Sequence, residues 1–247
     1  MGRSVVLAGA ERCPRCRLPP RCCVCAALPP VETAIRLHVL IHRHEHGKPS
    51  STGRLVARAV SGAVSQVYQR PTRFHPGAGL TAAAVAADVW ILHPSGTPPA
   101  DALAAAVPRP PLVVLLDGTW RQAGEMLRSC TGRGRCVRLP DTAAAPSRYW
   151  LRDQPWPGHL STAEAAVGVF EALGDAAAAR ALRLHFELHV YATLLSRGRR
   201  EMAERYLGHS PLLTSCPDLV DRLLAGRPRV RDADPATIGP ATGHRHP

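Results

Sequence analysis

The chain has 247 residues and a formal net charge of +12, with 45% of its side chains hydrophobic and 20% charged. These are globular values, ample for one medium domain, and they exclude a disordered chain. Aromatic residues at 4% exclude rows of stacking platforms, and no apolar run reaches the ~20 residues a membrane helix needs.

Residues 1–30 are rich in Cys, Pro and Arg and lack the apolar content for a core of their own. The apolar patch near the start is too short for a secretory signal, which predicts a soluble cytoplasmic protein. Five of the eight cysteines fall here: Cys13, Cys16, Cys22, Cys23 and Cys25. Their spacing forms two close pairs across a Pro-containing turn, and zinc takes four such soft ligands in a tetrahedron. Disulfides are the rival, but adjacent Cys22 and Cys23 suit a disulfide framework poorly. The expected metal ligands are Cys13, Cys16, Cys23 and Cys25, with Cys22 a substitute for one of the second pair. Cys130, Cys136 and Cys216 stand apart and read as small apolar residues.

Residues 34–42 alternate and are β-rich, so they read as a strand. Residues 52–69 place apolar side chains at helical spacing after a Thr cap. His42, His44 and His46 alternate as a metal site would, but they fall where a loop is expected after the strand. Residues 88–93 read as a short buried strand that stops at Pro94-Ser95-Gly96. An Ala-rich helix is expected over residues 100–107. The run Pro111–Leu116, PLVVLL, is the clearest buried strand, followed by Asp117-Gly118 and a helix beginning TWRQ. Residues 140–158 form a Pro- and Trp-containing loop long enough to suggest a function. Ser161 opens a further helix, with Glu164 three residues on as in a capping box. Residues 176–206 read as helical; His185 and His189 within them lack the Glu position of a metalloprotease motif and read as one face of an amphipathic helix. Residues 226–247 are polar and Pro/Gly-rich and read as a disordered tail. The alternation predicts an α/β fold with a mostly parallel sheet, flanking helices, and ligands at the carboxyl ends of its strands. The domain division expected is 1–30, 31–225 and 226–247.

The charge is localised. Residues 1–75 carry 12 basic and 3 acidic side chains, and residues 121–152 carry 7 and 2. Residues 76–120 carry 1 and 3, and the remainder is balanced at 11 and 11. A localised basic face favours a polyanionic partner, RNA or DNA. Arg43, Lys48 and Arg54 near the first strand, and Arg121, Arg148 and Arg152 near the second basic segment, are the candidate contacts.

The strand PLVVLL running into Asp117-Gly118-Thr119-Trp120 resembles the Asp-any-Thr-Trp signature of the DTW-domain family, whose members are tRNA-uridine aminocarboxypropyltransferases. The paired cysteines, HRHEHGKPSSTGRL, HPSG, RLPDTAAAPSRYWLR and LSTAEA carry the likeness in the same order, from Cys13 to about residue 207. Ser51 departs from it, because the family usually has Asn before this Thr. The resemblance implies S-adenosylmethionine as donor, transfer of its 3-amino-3-carboxypropyl group to N3 of a tRNA uridine, and release of 5′-methylthioadenosine. It also implies a knotted fold akin to SPOUT methyltransferases, contrary to the usual rule against knots.

For that reaction the uridine N3 proton must leave, and a buried carboxylate at a strand end can take it. Asp117 holds such a place; the alternative is that it caps the following helix. Thr119 can cap or bind, and Trp120 can pack in the core or stack on a base. Backbone turns at His93-Pro94-Ser95-Gly96 and at Leu116-Asp117 are candidate holders of the donor. Ser161, Thr162 and Glu164 at a helix N-terminus are candidates for its carboxylate, besides their role as a capping box. The alternatives from other classes are a zinc-stabilised RNA-binding module without catalysis and a SPOUT-like RNA methyltransferase.

Overall fold

A computed structural model describes residues 11–70, 74, 88–98, 111–140, 146–152 and 159–225. Strand β1 (Arg36–His42) leads into a single helical turn, α1 (Arg43–His46), and then α2 (Thr52–Ala59). Strands β2 (Val64–Tyr68), β3 (Val89–Thr97) and β4 (Leu112–Asp117) follow. Next come α3 (Trp120–Ser129), β5 (Arg135–Val137) and α4 (Thr162–Ala172). The described chain closes with α5 (Ala176–Ser196), α6 (Arg200–Leu207), α7 (Leu212–Ser215) and α8 (Pro217–Ala225).

The strands form one five-stranded sheet in the order β2-β1-β4-β3-β5, with every pairing parallel. Strands β1 and β4 at its centre are covered on both faces, which is why they read as unbroken apolar runs. Leu37, Val39 and Ile41 of β1, with Val113 and Leu115 of β4, face the large core built with α2, α4 and α5. Leu40 and Val114 face a smaller cluster under α3, with Met126, Cys130 and Phe74. Leu18, Val24 and Val31 join the large core, so the cysteine-rich segment packs against the sheet and its helices.

Several boundaries differ from those expected. The helix expected over residues 52–69 ends at Ala59, and residues 64–68 pair with β1 as β2. Gly62, at φ +70°, makes the turn between them in the left-handed conformation that favours Gly. The cap of α2 is Ser51 rather than Thr52. The segment after β1 is the helical turn α1 and not a loop. Strand β3 runs through His93-Pro94-Ser95-Gly96 to Thr97. Leu92 and Thr97 both pair with Val137, so the residues between them bulge out of the ladder. A Cβ on Gly96 would sit 2.6 Å from the backbone of Cys136 and Val137, so this close approach needs Gly.

The expected 176–206 helix is broken into α5 and α6 at Gly198, which has φ +73°. Helix α5 exposes Ala176, Ala177, Arg180 and Arg183 in its first half and is buried on all sides from His185 to Leu195, so both histidines are buried. His185 Nε2 instead meets the Pro29 carbonyl at 2.8 Å. The expected helix at 100–107 and tail at 226–247 lie outside the described residues, as does much of the loop at 140–158.

Candidate active site

Strand order places the carboxyl ends of β1 and β4 side by side, with Ile41 paired to Asp117. From there the chain turns toward β2 on one side and toward β5 on the other. Such a switch point opens a crevice at the strand ends. Asp117 is the last residue of β4 and is only 5% exposed.

Three donors from three segments converge on its carboxylate. Ser51 Oγ donates to Oδ2 at 2.7 Å, Thr162 Oγ1 to Oδ1 at 2.7 Å, and the Gly53 amide to Oδ1 at 3.1 Å. Burial raises the Asp117 pKa above the ordinary carboxylate value. The bonds from Thr162, Ser51 and Gly53 oppose that shift, and the charge of Glu45 adds to it. A buried carboxylate of raised basicity is suited to accept a proton.

Asp117 does not cap α3. Thr119 does so, with its Oγ1 accepting from the Gln122 amide at 3.4 Å and its own amide donating to Gln122 Oε1 at 2.8 Å. Trp120 is 44% exposed, with its ring 4.3 Å from that of His159, so it does not fill the core. The capping box expected at Ser161 is present, with Glu164 Oε2 accepting from the Ser161 amide at 2.8 Å. Glu164 also accepts from the Arg148 amide at 2.7 Å and from the Ser147 hydroxyl at 2.9 Å. Its oxygens therefore tie the 146–152 segment to α4. At the β3 bulge, His93 Nδ1 accepts from the Ser95 amide at 3.2 Å.

Leu116, Asp117, Thr119, Trp120, Ser161, Thr162 and Glu164 thus gather around one strand end, joined by Ser51 and Gly53. Gly53 escaped the sequence reading. A Cβ there would lie 2.5 Å from Asp117 Cβ and Cγ, so α2 touches the carboxylate only because it carries Gly.

The basic candidates divide. Arg43 and Arg121 are exposed. Lys48 pairs with buried Glu45 at 2.6 Å, and Arg152 pairs with the same Glu45. Arg148 grips Glu187 through Nε and Nη2 at 2.9 and 2.8 Å, with its guanidinium 4.0 Å from the Tyr206 ring centroid. Arg54 donates to the carbonyls of His46, Pro14 and Arg15 at 2.6, 3.0 and 2.8 Å.

Cys13, Cys16, Cys23 and Cys25 bring their sulfurs within 4.8 Å of one another. The Cys13–Cys25 and Cys16–Cys23 sulfur separations are both 3.8 Å. These are far beyond a disulfide bond. They match the edge of about 3.8 Å in a thiolate tetrahedron around zinc with bonds of about 2.3 Å. Cys22 lies in the core instead. Among the described residues no other group of His, Cys, Asp or Glu gathers in this way, the alternating histidines included. Arg54 holds the loop between Cys13 and Cys16 by the carbonyls of Pro14 and Arg15, and half-buried Arg58 lies beside Cys25 and Cys16. Helix α2 therefore has the thiolate cluster on one side and Asp117 at its amino end.

These features define an α/β protein with a parallel sheet, a strand-end carboxylate and a four-thiolate cluster. The DTW domain model matches residues 10–194, and the chain belongs to that family. It is 28% identical over 162 residues to tRNA-uridine aminocarboxypropyltransferase 2 of Drosophila melanogaster. That match takes in 63% of this chain and 64% of the relative, a little under two thirds of its length. No solved structure matches. No helix among the described residues is long and apolar enough to cross a membrane.

Proposed function

We propose that the protein transfers the 3-amino-3-carboxypropyl group of S-adenosylmethionine to N3 of a uridine in tRNA. The observation that carries this reading is Asp117: a carboxylate of raised basicity, buried at the switch point of a parallel sheet and oriented by three donors. Family membership and the named activity of the Drosophila relative support it.

In this reading Asp117 takes the N3 proton. The freed nitrogen pair attacks the side-chain carbon next to the sulfonium sulfur. The carbon–sulfur bond breaks with its electrons on sulfur, leaving neutral 5′-methylthioadenosine and acp3U. The Ser51 and Thr162 hydroxyls hold the carboxylate in position throughout. They can turn to accept from it once it is protonated.

Attack on that carbon rather than on the methyl depends on how the amino-acid end is held. We assign the donor to the β3 bulge at His93–Gly96, to the β4–α3 junction at Leu116–Trp120 and to the N-terminus of α4 at Ser161, Thr162 and Glu164. Arg43, Lys48 and Arg121 are the candidates whose exposure suits an RNA backbone. Zinc on Cys13, Cys16, Cys23 and Cys25 has a structural part, because no sulfur position is left for a substrate. The proposed division remains 1–30, 31–225 and 226–247, in the cytoplasm where tRNA is found. A knotted path belongs to the same reading. It rests on membership of the DTW family.

The test is incubation with labelled S-adenosylmethionine and undermodified tRNA. Methylthioadenosine and acp3U are expected. S-adenosylhomocysteine in their place would make the protein a methyltransferase. Binding of tRNA without turnover, indifferent to Asp117→Asn, would make it an RNA-binding module.

A further inference from the structure

Between residues 147–152 and α6 lies a cavity of about 710 Å³ that the reaction above does not use. It is an open cleft rather than an enclosed cavity. Tyr149, Trp150, Arg152, Met202, Arg205 and His209 are among the residues lining it. Trp150 stands edge-on to Tyr206, with ring centroids 5.3 Å apart. Arg205 and His209 are exposed. Arg152 has Glu45 as its counter-charge, whereas Arg205 has no ion pair among the described residues. Among the described residues no Asp or Glu lines the cavity.

The cavity also adjoins the candidate active site. The Tyr149 hydroxyl donates to the Ser50 carbonyl, and Arg152 Nη2 donates to Ser50 Oγ at 3.2 Å. Ser50 is the neighbour of Ser51, which holds Asp117. A ligand seated in this cleft therefore lies two side chains away from the reacting centre.

We propose that this cleft binds a nucleotide of the acceptor RNA flanking the one that is modified, its base against Trp150 and its phosphate on Arg205 and His209. The inference rests on the reading of the protein as a tRNA-modifying enzyme. Aromatic surface beside unmatched positive charge is the chemistry of single-stranded nucleic-acid sites. A protein partner would instead favour an apolar centre depleted of charge. The donor is a cation at its sulfur, which a cleft with unmatched positive charge does not favour.

The test uses the full chain, an unmodified tRNA transcript and the variants Arg205→Ala, His209→Ala and the double substitution. All replace exposed side chains, so the fold is retained. RNA affinity is read by fluorescence anisotropy over a salt series, and donor affinity by calorimetry. The double variant is expected to bind tRNA about tenfold more weakly, with the slope of log affinity against log salt shallower by about 1 to 2, and to bind donor as before. Trp150→Ala is expected to weaken tRNA binding about tenfold, and Trp150→Phe to restore most of it. Unchanged tRNA affinity and salt slope, in a protein that still forms acp3U, would overturn the cleft and leave the function standing. Loss of donor affinity would reassign the cleft to the donor, and a changed sedimentation coefficient without RNA would make it a contact between copies. A wild-type chain with no affinity for tRNA would remove both readings.

Discussion

Ser51 Oγ lies 2.7 Å from Asp117 Oδ2 and donates to it across 66 residues of sequence. The same oxygen accepts from the Arg54 amide at 3.2 Å, capping α2. One hydroxyl therefore starts a helix and orients the candidate base. Ser51→Ala is expected to cost about 1–2 kcal/mol of stability, as an Ala replacement of an N-cap does. Turnover should fall about tenfold or more with little change in donor affinity. Paired melting curves and steady-state rates check both parts.

Turnover needs the ionised form of Asp117, so activity should decline as pH falls through a pKa lying above the ordinary carboxylate value. The Thr162 hydroxyl is the strongest of the bonds that favour ionisation. Thr162→Val should therefore shift the acid limb of the pH–rate profile to higher pH. A limb that stays in place in this variant would remove Asp117 as the titrating group.

Stability has the opposite sign. A carboxyl group whose pKa is raised on folding binds its proton more tightly in the folded state. Its contribution is full below the unfolded value and is lost as pH rises through the folded value. Asp117→Asn removes that loss. It should melt above wild type at pH 8, with the gap closing near pH 4, while turnover falls by about 10²–10⁴-fold. Calorimetry at the two pH values, with an activity assay at the upper one, tests the pair of effects.

Gly53→Ala should be the most damaging small substitution near the site. Its Cβ would enter Asp117 at 2.5 Å, which requires either α2 or the carboxylate to move. A loss of about 1–3 kcal/mol is expected from overpacking, with turnover near background. Chemical denaturation measures the first and product formation the second.

The thiolate cluster separates adjacent cysteines. Cys23→Ser should abolish stoichiometric zinc, because Cys23 completes the tetrahedron. Cys22→Ser should keep about one zinc per chain and lower the melting temperature, because Cys22 lies in the core. Metal analysis of both proteins distinguishes the two. Stripping the metal with a chelator should also weaken donor binding, since Arg54 ties the loop between Cys13 and Cys16 to α2.

The central strands were legible because burial on both faces leaves β1 and β4 as apolar runs. The cysteine spacing was legible because metal ligands follow local rules. The α2–β2 boundary was not, since residues 52–69 are apolar at helical spacing throughout and only Gly62 marks the break. Asp117 could be found from its place after PLVVLL, but its donors could not. Positions 51, 53 and 162 meet it through topology alone. The ion pairing of the basic clusters was hidden for the same reason. Local charge counts cannot show that Arg148 and Arg152 turn inward to Glu187 and Glu45.

The order of those positions along the chain has a consequence for biosynthesis. On the ribosome, Ser51 and Gly53 are made well before Asp117, whereas Thr162 follows 45 residues after it. Strand β4 can pair with β1 as soon as it emerges, but its terminal carboxylate must then wait for a partner that has yet to be released. A chain stalled or cut in that interval would hold an incompletely bonded acid at the centre of its sheet. Arrival of Thr162 is therefore the earliest moment at which the acid of a nascent molecule is fully bonded, and fragments ending before residue 162 should be both unstable and inert.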